Sequence, residues 1–452
     1  MSALDNILEK AMDGESSSSS PGNIFEPQLV EEKPPASAPA PGAHSPVMLF
    51  PPDVGARAWL TVVGGFCAMF CSFGYINVVG VFLEYYSTHQ LKDYSSSAVS
   101  WITSVQTFVM VLGGIVFGRV NDMYGPRPLT IFGVTFLILG VMTTSVSRTY
   151  YQFMLAQGIC SPIGGSALFY CSMSTVASWF VKRRSAALGL AVGGSSTGGV
   201  IMPLVFRHVL NQSNFGWAVR ANGFLLLFLG IVAILTLRPR IQPKGFYHFN
   251  FKKDYIDPFK SGSFCIICCG LFCMYWGLFV PFGYIPSQAT AHGFSADMAD
   301  NLVSIMNGSS FFGRVIIGMS ADKIGPFNCS IAAIVMSGIF TLALWIPSSS
   351  HVAIIMYSVF YGFWSGASVS LMPAIIASVS PVHEIGTRMA ALSFFQSFAA
   401  LSGLPIAGAL LTANNGSFYG MGIWAGVLLV AGGLFVLLAR VMIFGPSIFK
   451  KT

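Results

Sequence analysis

The chain has 452 residues, of which 54% are hydrophobic and only 9% are charged. A soluble globular domain carries about 25% charged residues, so this composition excludes a soluble globular fold and indicates a protein embedded in a lipid bilayer. The formal net charge of +7 does not indicate nucleic-acid binding, because Lys and Arg lie mainly in short loops between apolar segments.

The N-terminal segment 1–52 is rich in Ser, Pro and Ala and includes the run PPASAPAPGAHSP. Such a segment cannot bury enough apolar surface to fold, so we expect a disordered tail. It also lacks the apolar core of a cleavable signal peptide. We therefore expect the first apolar segment to direct membrane insertion.

Twelve apolar segments follow, each close to the ~20 residues that a helix needs to cross a bilayer. Open strands cannot face lipid, so we predict an all-α membrane protein with twelve transmembrane helices. The predicted spans are 58–83, 98–118, 128–147, 152–177, 185–208, 218–238, 263–289, 300–320, 328–347, 351–378, 387–412 and 418–442. They form a first half, 53–238, and a second half, 263–443, separated by the linker 239–262 and followed by the tail 444–452.

Basic residues are unevenly distributed among the loops. The linker 239–262 is basic, and the loop after the fourth span contains Lys182, Arg183 and Arg184. The positive-inside rule places these loops, and with them both termini, in the cytoplasm. We predict a multi-pass protein of the plasma membrane.

One short motif occurs twice, as GRVNDMYGP and GMSADKIGP, at an offset of 200 positions (318 minus 118). Each copy combines a Gly that permits close helix packing, an Asp at a helix end and a Gly-Pro turn. We predict that both copies form a gate that stabilises the outward-facing conformation. The predicted gating residues are Gly118, Asp122, Gly125, Gly318, Asp322, Lys323 and Gly325.

A second pairing supports duplication. The segment RRSAALGLAVGGSSTGG aligns with TRMAALSFFQSFAALSG, so that Arg184 matches Arg388 and Gly199 matches Gly403. Two pairings at nearly equal offsets predict two pseudo-symmetric six-helix halves. Transporters with parallel repeats bind their substrate between the halves, near the bilayer midplane.

The duplicated motif resembles the signature loop of the major facilitator superfamily. Two further segments, PPDVGARAWLTVVGGF and WFVKRRSAALGLAVGGSSTGG, resemble the monocarboxylate-transporter-like branch, particularly its fungal members. In the first motif copy, Met123 replaces the usual basic residue, and Val54 replaces a glycine of the branch. The resemblance implies the major facilitator fold and transport by rocker-switch alternating access.

Arg314 lies inside the eighth span, where a cation is costly and normally faces a cavity or a partner. A guanidinium can bind both oxygens of a substrate carboxylate, and the resemblance implies the same role. A structural ion pair with an acid at the cytoplasmic end of a span, such as Asp322, is the alternative. The resemblance also implies an acid and a lysine for proton coupling, but Ser310 and Asn77 occupy those positions.

Other polar and aromatic side chains inside the spans could line a cavity. The polar candidates are Asn77, Gln106, Gln157, Asn222, Gln288, Asn307 and Gln396. Most such residues form helix–helix hydrogen bonds instead. Aromatic residues beside Gly and Pro suit a ring-containing substrate. The predicted substrate-binding set is Arg314, Asn77, Ser310, Asn307, Tyr275 and Trp364.

The sequence predicts no cofactor and no metal site. The cysteines of the seventh span have no His or acid beside them, and helix packing explains them better. The Gly-rich part of the fifth span lacks the Lys-Ser/Thr of a phosphate loop. Sequons at Asn211 and Asn415 fall in loops that we place outside, and they predict N-glycosylation.

These features predict a secondary active or facilitative transporter of a small organic metabolite, an organic acid or secondary metabolite, with efflux as the favoured direction. The missing coupling residues argue against proton-coupled uptake of a monocarboxylate or vitamin, which remains an alternative with protons as a partner. A non-transporting nutrient receptor of the same fold is another. We find no nucleophile–base pair near the centre of a span, so the sequence does not predict an enzyme. The oligomeric state stays open.

Overall fold

The computed structural model describes residues 53, 55–240, 242–243, 245, 256–347, 350–381 and 384–446. The whole of the predicted disordered tail, 1–52, lies outside the described residues. So do most of the tail 444–452 and the middle of the linker 239–262. The described residues form helices joined by turns, without strands, which confirms the predicted all-α fold.

Twelve long helices follow one another through the described residues, and each predicted span overlaps one of them. They are α1 (56–88), α2 (96–124), α3 (Pro126–Thr144), α4 (150–179), α5 (Arg184–Gln212), α6 (Phe215–Thr236), α7 (Gly262–Ala291), α8 (Ala296–Ile324), α9 (Pro326–Trp345), α10 (His351–Ser378), α11 (Ile385–Ala413) and α12 (Tyr419–Phe444). A short 3₁₀ helix, Asp257–Lys260, precedes α7. π-Helical segments interrupt α1 at Phe70–Gly74, and α4 at Met154–Cys160, and end α9 at Thr341–Trp345.

Eleven of the helices in the described residues are long and apolar enough to cross a membrane, and α4 is the exception. Its segment Ser161–Trp179 is buried except at Ile163 and Ser178. A Cβ on Gly164 would lie 2.3 Å from the backbone nitrogen of Leu137 on α3. Because neighbouring helices cover this segment of α4, close packing of small residues replaces the apolar surface that lipid would require.

Helices α1–α6 form the first half of the bundle and α7–α12 the second. One buried apolar cluster lies entirely in the first half, whereas the larger cluster includes residues of both. The halves meet where α5 packs along α8 and where α2 packs along α11. A Cβ on Gly189 of α5 would lie 2.3 Å from the carbonyl oxygen of Arg314 on α8. Glycine therefore permits the closest approach of the two halves.

The chain enters α1 through an acidic residue that binds the loop between α4 and α5. The Asp53 carboxylate accepts hydrogen bonds from the backbone N–H groups of Val181 and Lys182, each at 3.0 Å, and of Arg183 at 3.2 Å. Partial burial opposes ionisation, but these N–H groups and the charge of Arg184 lower the pKa of Asp53 below its ordinary value. Asp53 thus anchors the start of α1 to the loop that precedes α5.

We expect Asp53→Ala to lower the free energy of unfolding by about 1 kcal/mol, because three N–H groups lose their acceptor. The folded-state pKa lies below the unfolded value of about 3.9, so this stabilisation is present above about pH 4 and is lost as the pH falls through the folded pKa. Thermal unfolding of both proteins from pH 7 to pH 3 measures it. The exposed Asp93→Ala is the control. A loss that does not change with pH would contradict the role of the charge.

Candidate functional site

A cavity of about 1050 Å³ lies between the two halves of the bundle. We call the end of the bundle that carries the turns at Gly125 and Gly325 the hairpin end, and the opposite end the open end. Ser100, near the start of α2, and Thr290, near the end of α7, line the cavity at the open end. The deepest described lining residue on α8 is Arg314. The cavity therefore runs from the middle of the bundle to the open end.

Contacts between the halves close the cavity at its deep end. The Arg314 Nη1 donates a hydrogen bond to the Val192 carbonyl oxygen at 2.7 Å and another to the Ser195 hydroxyl. Two turns of α8 away, the Asn307 Oδ1 accepts a hydrogen bond from the Asn77 amide at 3.2 Å. These contacts tie α8 of the second half to α1 and α5 of the first.

Arg314 is a buried cation whose donor groups are only partly used. Its side chain is 7% exposed, and its Nε has no hydrogen-bond partner within the described residues. The ion pair with Asp322 that the sequence left open does not form, because the described partners of Arg314 are Val192 and Ser195. An unused N–H of a guanidinium at a cavity floor can bind an oxygen of an anionic ligand.

The walls of the cavity combine positive charge with aromatic surface. The described lining residues include Arg207 and Arg314 and no acidic side chain. Aromatic rings line the same space, namely those of Phe73, Trp101, Tyr275, Phe279, Phe282 and Tyr284. Rings stack on aromatic faces, and a guanidinium neutralises an anion away from water. This lining suits a ring-containing organic anion.

At the hairpin end, the two duplicated aspartates each bind the start of a helix in the opposite half. The Asp122 carboxylate accepts from the backbone N–H and the hydroxyl of Thr387, both at 3.2 Å, at the start of α11. The Asp322 carboxylate accepts from the backbone N–H of Ser185 at 2.8 Å and of Ala186 at 3.0 Å, at the start of α5. A carboxylate also suits the positive end of a helix dipole. These two contacts, called the latch below, hold the halves together.

Glycines in each motif copy make the latch possible. A Cβ on Gly118 would lie 2.4 Å from the Gly386 carbonyl oxygen, and one on Gly318 would lie 2.9 Å from that of Ser185. Gly125 and Gly325 have φ angles of 79° and 108°, a region that side chains disfavour. Glycine therefore lets the hairpins turn and the halves touch.

Comparison with protein-family models matches the Major Facilitator Superfamily over residues 62–263 and 267–449. The two matched segments include most of the chain and both halves of the bundle. The chain belongs to the Major Facilitator Superfamily.

Fungal relatives of this facilitator are similar over most of their length. MFS-type transporter 1 of Ophiocordyceps sp. is 42% identical over 400 residues, which cover 88% of this chain and 89% of the relative. The Fujikurins efflux protein of Gibberella fujikuroi is 40% identical over 88% of this chain and 86% of its own. The Aspyridones efflux protein apdF of Emericella nidulans is 39% identical over 87% of this chain and 80% of the relative.

Solved structures show the same fold. The human organic anion transporter MFSD10 (TETRAN) superposes with a TM-score of 0.68 at 14% identity, covering 85% of this chain and 100% of that one. The proton:xylose symporter XylE superposes with a TM-score of 0.65 at 16% identity, covering 88% of this chain and 96% of the symporter chain. The family match and the fungal relatives show that this facilitator is a transmembrane transporter, and the solved structures confirm its predicted fold.

Four of the six predicted substrate-binding residues of the facilitator line the cavity, namely Arg314, Asn77, Asn307 and Tyr275. Ser310 is buried behind the wall, where its hydroxyl lies 2.5 Å from that of Ser196. Trp364 is not among the lining residues, and its ring packs at 5.4 Å against Phe363. In this conformation α10 faces the cavity with Ser365 and Val369, so Trp364 lies away from the cavity and its predicted role stays a prediction.

Several lining residues of the facilitator were not in the predicted set. Ser195 and Ser365 line the cavity, although their sequence surroundings resemble those of the packing serines nearby. Gln106, one of the polar candidates, also lines it, whereas Gln157 and Gln288 bond within the bundle. A polar residue within an apolar helix was the available signal, but it does not tell which face of the helix meets the cavity.

The other predicted positions of the facilitator lie on its surface. Lys323 is exposed in the last turn of α8. Asn415 is exposed in a turn with φ of 53°. Asn211 is exposed but lies in the last turn of α5 rather than in a loop, which differs from the prediction. The helix extends to Gln212, and Ser213 is its C-cap.

Proposed function

We propose that this facilitator exports a ring-containing organic anion, a secondary metabolite, through the plasma membrane. The observation that carries the proposal is Arg314, a buried cation with an unused N–H at the floor of an aromatic cavity. An anion bound there would neutralise a charge that has no acidic partner among the described lining residues. The similarity to the fujikurin and aspyridone efflux proteins supports the export of a secondary metabolite.

Alternating access between the two halves would move the substrate. In the structure the hairpin end is closed by the latch and the cavity reaches the open end. The basic loop Lys182–Arg184 and the start of the linker are at the hairpin end, so the positive-inside rule supports a cytoplasmic hairpin end. The structure would then correspond to the outward-facing state, from which the substrate is released outside. Both termini would be cytoplasmic.

The charge of the substrate supplies a driving force for export. When an anion leaves a cell with a negative interior, its free energy falls by about 2.3 kcal/mol per charge for each 100 mV of membrane potential. The absence of an acidic side chain among the described lining residues favours this electrical driving force over proton coupling. Arg314 would lower the cost of taking the anion out of water, and the membrane potential would set the direction.

Deleting the gene is expected to raise the intracellular level of one anionic, ring-containing metabolite and to lower its level in the medium. Comparative mass spectrometry of cells and medium, with and without the gene, measures both. Restoring the gene should reverse both changes, and restoring the Arg314→Gln variant should not. An unchanged distribution of anionic metabolites, or a compound that is lost from the cells instead, would contradict the proposed export.

Purified protein in liposomes then tests the driving force, with the identified metabolite as substrate. A potassium diffusion potential should drive flux, and a pH gradient at zero potential should not. Flux that follows the pH gradient would contradict this proposal and favour proton-coupled uptake. Binding without flux would favour the receptor alternative.

A further inference from the structure

Gln106 lines the cavity from the half of the bundle opposite to Arg314. It lies in the middle of α2, its side chain is 1% exposed, and its Nε2 has no hydrogen-bond partner within the described residues. Buried polar groups are almost always hydrogen-bonded, so an exception at a cavity wall needs an explanation. A buried donor without an acceptor has lost its hydrogen bonds to water without replacement.

A short chain of hydrogen bonds holds the Gln106 amide in its orientation. The Tyr86 hydroxyl donates to the Gln157 Oε1 at 2.6 Å, and the Gln157 Nε2 donates to the Gln106 Oε1 at 3.1 Å. Tyr86 and Gln157 are both 0% exposed, and the Tyr86 ring packs 4.3 Å from that of Phe153. The carbonyl of Gln106 is therefore occupied from behind, and its N–H₂ group is the part left to bind elsewhere.

Two lining residues in the described part of the chain thus have a buried nitrogen without a partner, Gln106 Nε2 and Arg314 Nε. They differ in chemistry, because the first belongs to a neutral amide and the second to a cation. They also belong to different halves of the bundle. Gln106 lies 19 positions before the turn at Gly125, whereas Arg314 lies only 11 positions before the turn at Gly325, so at about 1.5 Å per residue they lie at different depths of the cavity. A ligand that reaches both presents an anionic group to Arg314 and a second acceptor to Gln106, for which an uncharged carbonyl oxygen suffices.

We propose that Gln106 is a specificity-determining residue that donates a hydrogen bond to a carbonyl oxygen of the substrate, while Arg314 binds its anionic group. This inference rests on the proposed function and narrows it: the substrate is an anion with a second, uncharged carbonyl group. Tyr86 and Gln157 are positioning residues that keep the donor of Gln106 directed to the cavity. Such a substrate joins α2 of the first half to α8 of the second.

Matched probes test this recognition in the purified full-length protein. 4-Benzoylbenzoate and its 3-isomer each have a carboxylate and a ketone, and the corresponding benzylbenzoates have a methylene group in place of the ketone. We expect at least one ketone to bind about tenfold more tightly than its methylene analogue, the effect of one hydrogen bond of about 1.4 kcal/mol. Isothermal titration calorimetry measures each Kd. In Gln106→Leu, the two members of the pair should bind equally.

Control variants separate recognition from folding. Gln396→Leu removes another buried glutamine, bonded to Met372 and not among the cavity-lining residues, and should keep the ketone preference. Tyr86→Phe should reduce the preference while leaving binding of the benzylbenzoates unchanged. Equal affinities for ketone and methylene probes in wild type, or a preference that survives in Gln106→Leu, would overturn the inference.

Arg314→Gln distinguishes the failure of this inference from that of the proposed function. It should weaken the binding of ketone and methylene probes by the same factor. If the benzylbenzoates bind with no dependence on Arg314, the anion site of the proposed function is wrong. If they depend on Arg314 but the ketone brings no advantage, the role of Gln106 alone is wrong.

Discussion

Replacing Arg314 by glutamine is expected to slow export of the anionic metabolite about 100-fold, because losing a buried charged contact costs a few kcal/mol. Glutamine can still donate one hydrogen bond but cannot neutralise the anion. Arg314→Lys should retain part of the activity, since lysine keeps the charge but lacks the planar fork that reaches both Val192 and an incoming ligand. Initial rates of metabolite efflux from loaded liposomes, at a fixed membrane potential, measure the effect.

The control for this prediction is another arginine of the bundle that lies outside the cavity. Arg220, in the first turns of α6, donates to the Ser145 hydroxyl at 3.1 Å and lies over the Trp217 ring. It is not among the lining residues, so Arg220→Gln should transport at nearly the wild-type rate. Wild-type efflux by a correctly folded Arg314→Gln protein would remove Arg314 from the substrate site.

Removing the latch is expected to open the hairpin end. Asp122→Ala and Asp322→Ala each leave helix-start donors without an acceptor, at a cost of about 1 kcal/mol per helix. Because both contacts exist only when the halves touch at this end, the double variant should shift the conformational equilibrium by about 2 kcal/mol, or roughly 30-fold, towards the state open at the hairpin end. Hydrogen–deuterium exchange of peptides spanning 184–190 and 385–391 reports the change without labels.

The pattern of exchange across the two peptides decides between a gate and a local cap. If the latch gates the transporter, Asp322→Ala alone should raise exchange in both peptides, including 385–391, which Asp122 binds. If each aspartate only caps the helix that it contacts, exchange will rise at 184–190 alone and the gating role fails. Asp257→Ala, which removes a surface pair with Lys260, should change neither peptide.

Sequence reasoning identified the latch residues but not their partners. The motif placed Asp122 and Asp322 at helix ends. The contact of Asp122 with Thr387, however, joins residues 265 positions apart. Nothing in the local sequence of either residue specifies that contact, which depends on how α2 packs along α11.

The candidate site shows the same division. Arg314 could be singled out from the sequence because a cation inside an apolar span has so few structural uses. Trp364 and Gln106 could not be ranked correctly, because α10 and α2 are apolar around most of their circumference. A helix without a distinct polar face does not indicate which residues point to a cavity.

The sequence by itself determined the helical architecture, the duplication and the two glycine turns, because apolar segments in lipid must satisfy their backbone hydrogen bonds within helices. It also identified the family through residues that serve these turns. The tertiary structure alone decided that the segment Ser161–Trp179 of α4 is covered by neighbouring helices, that Gln106 rather than Trp364 lines the cavity, and that the cavity opens away from the latch. These features depend on packing between helices, where small residues permit contact at many alternative positions and only the assembled bundle selects one of them.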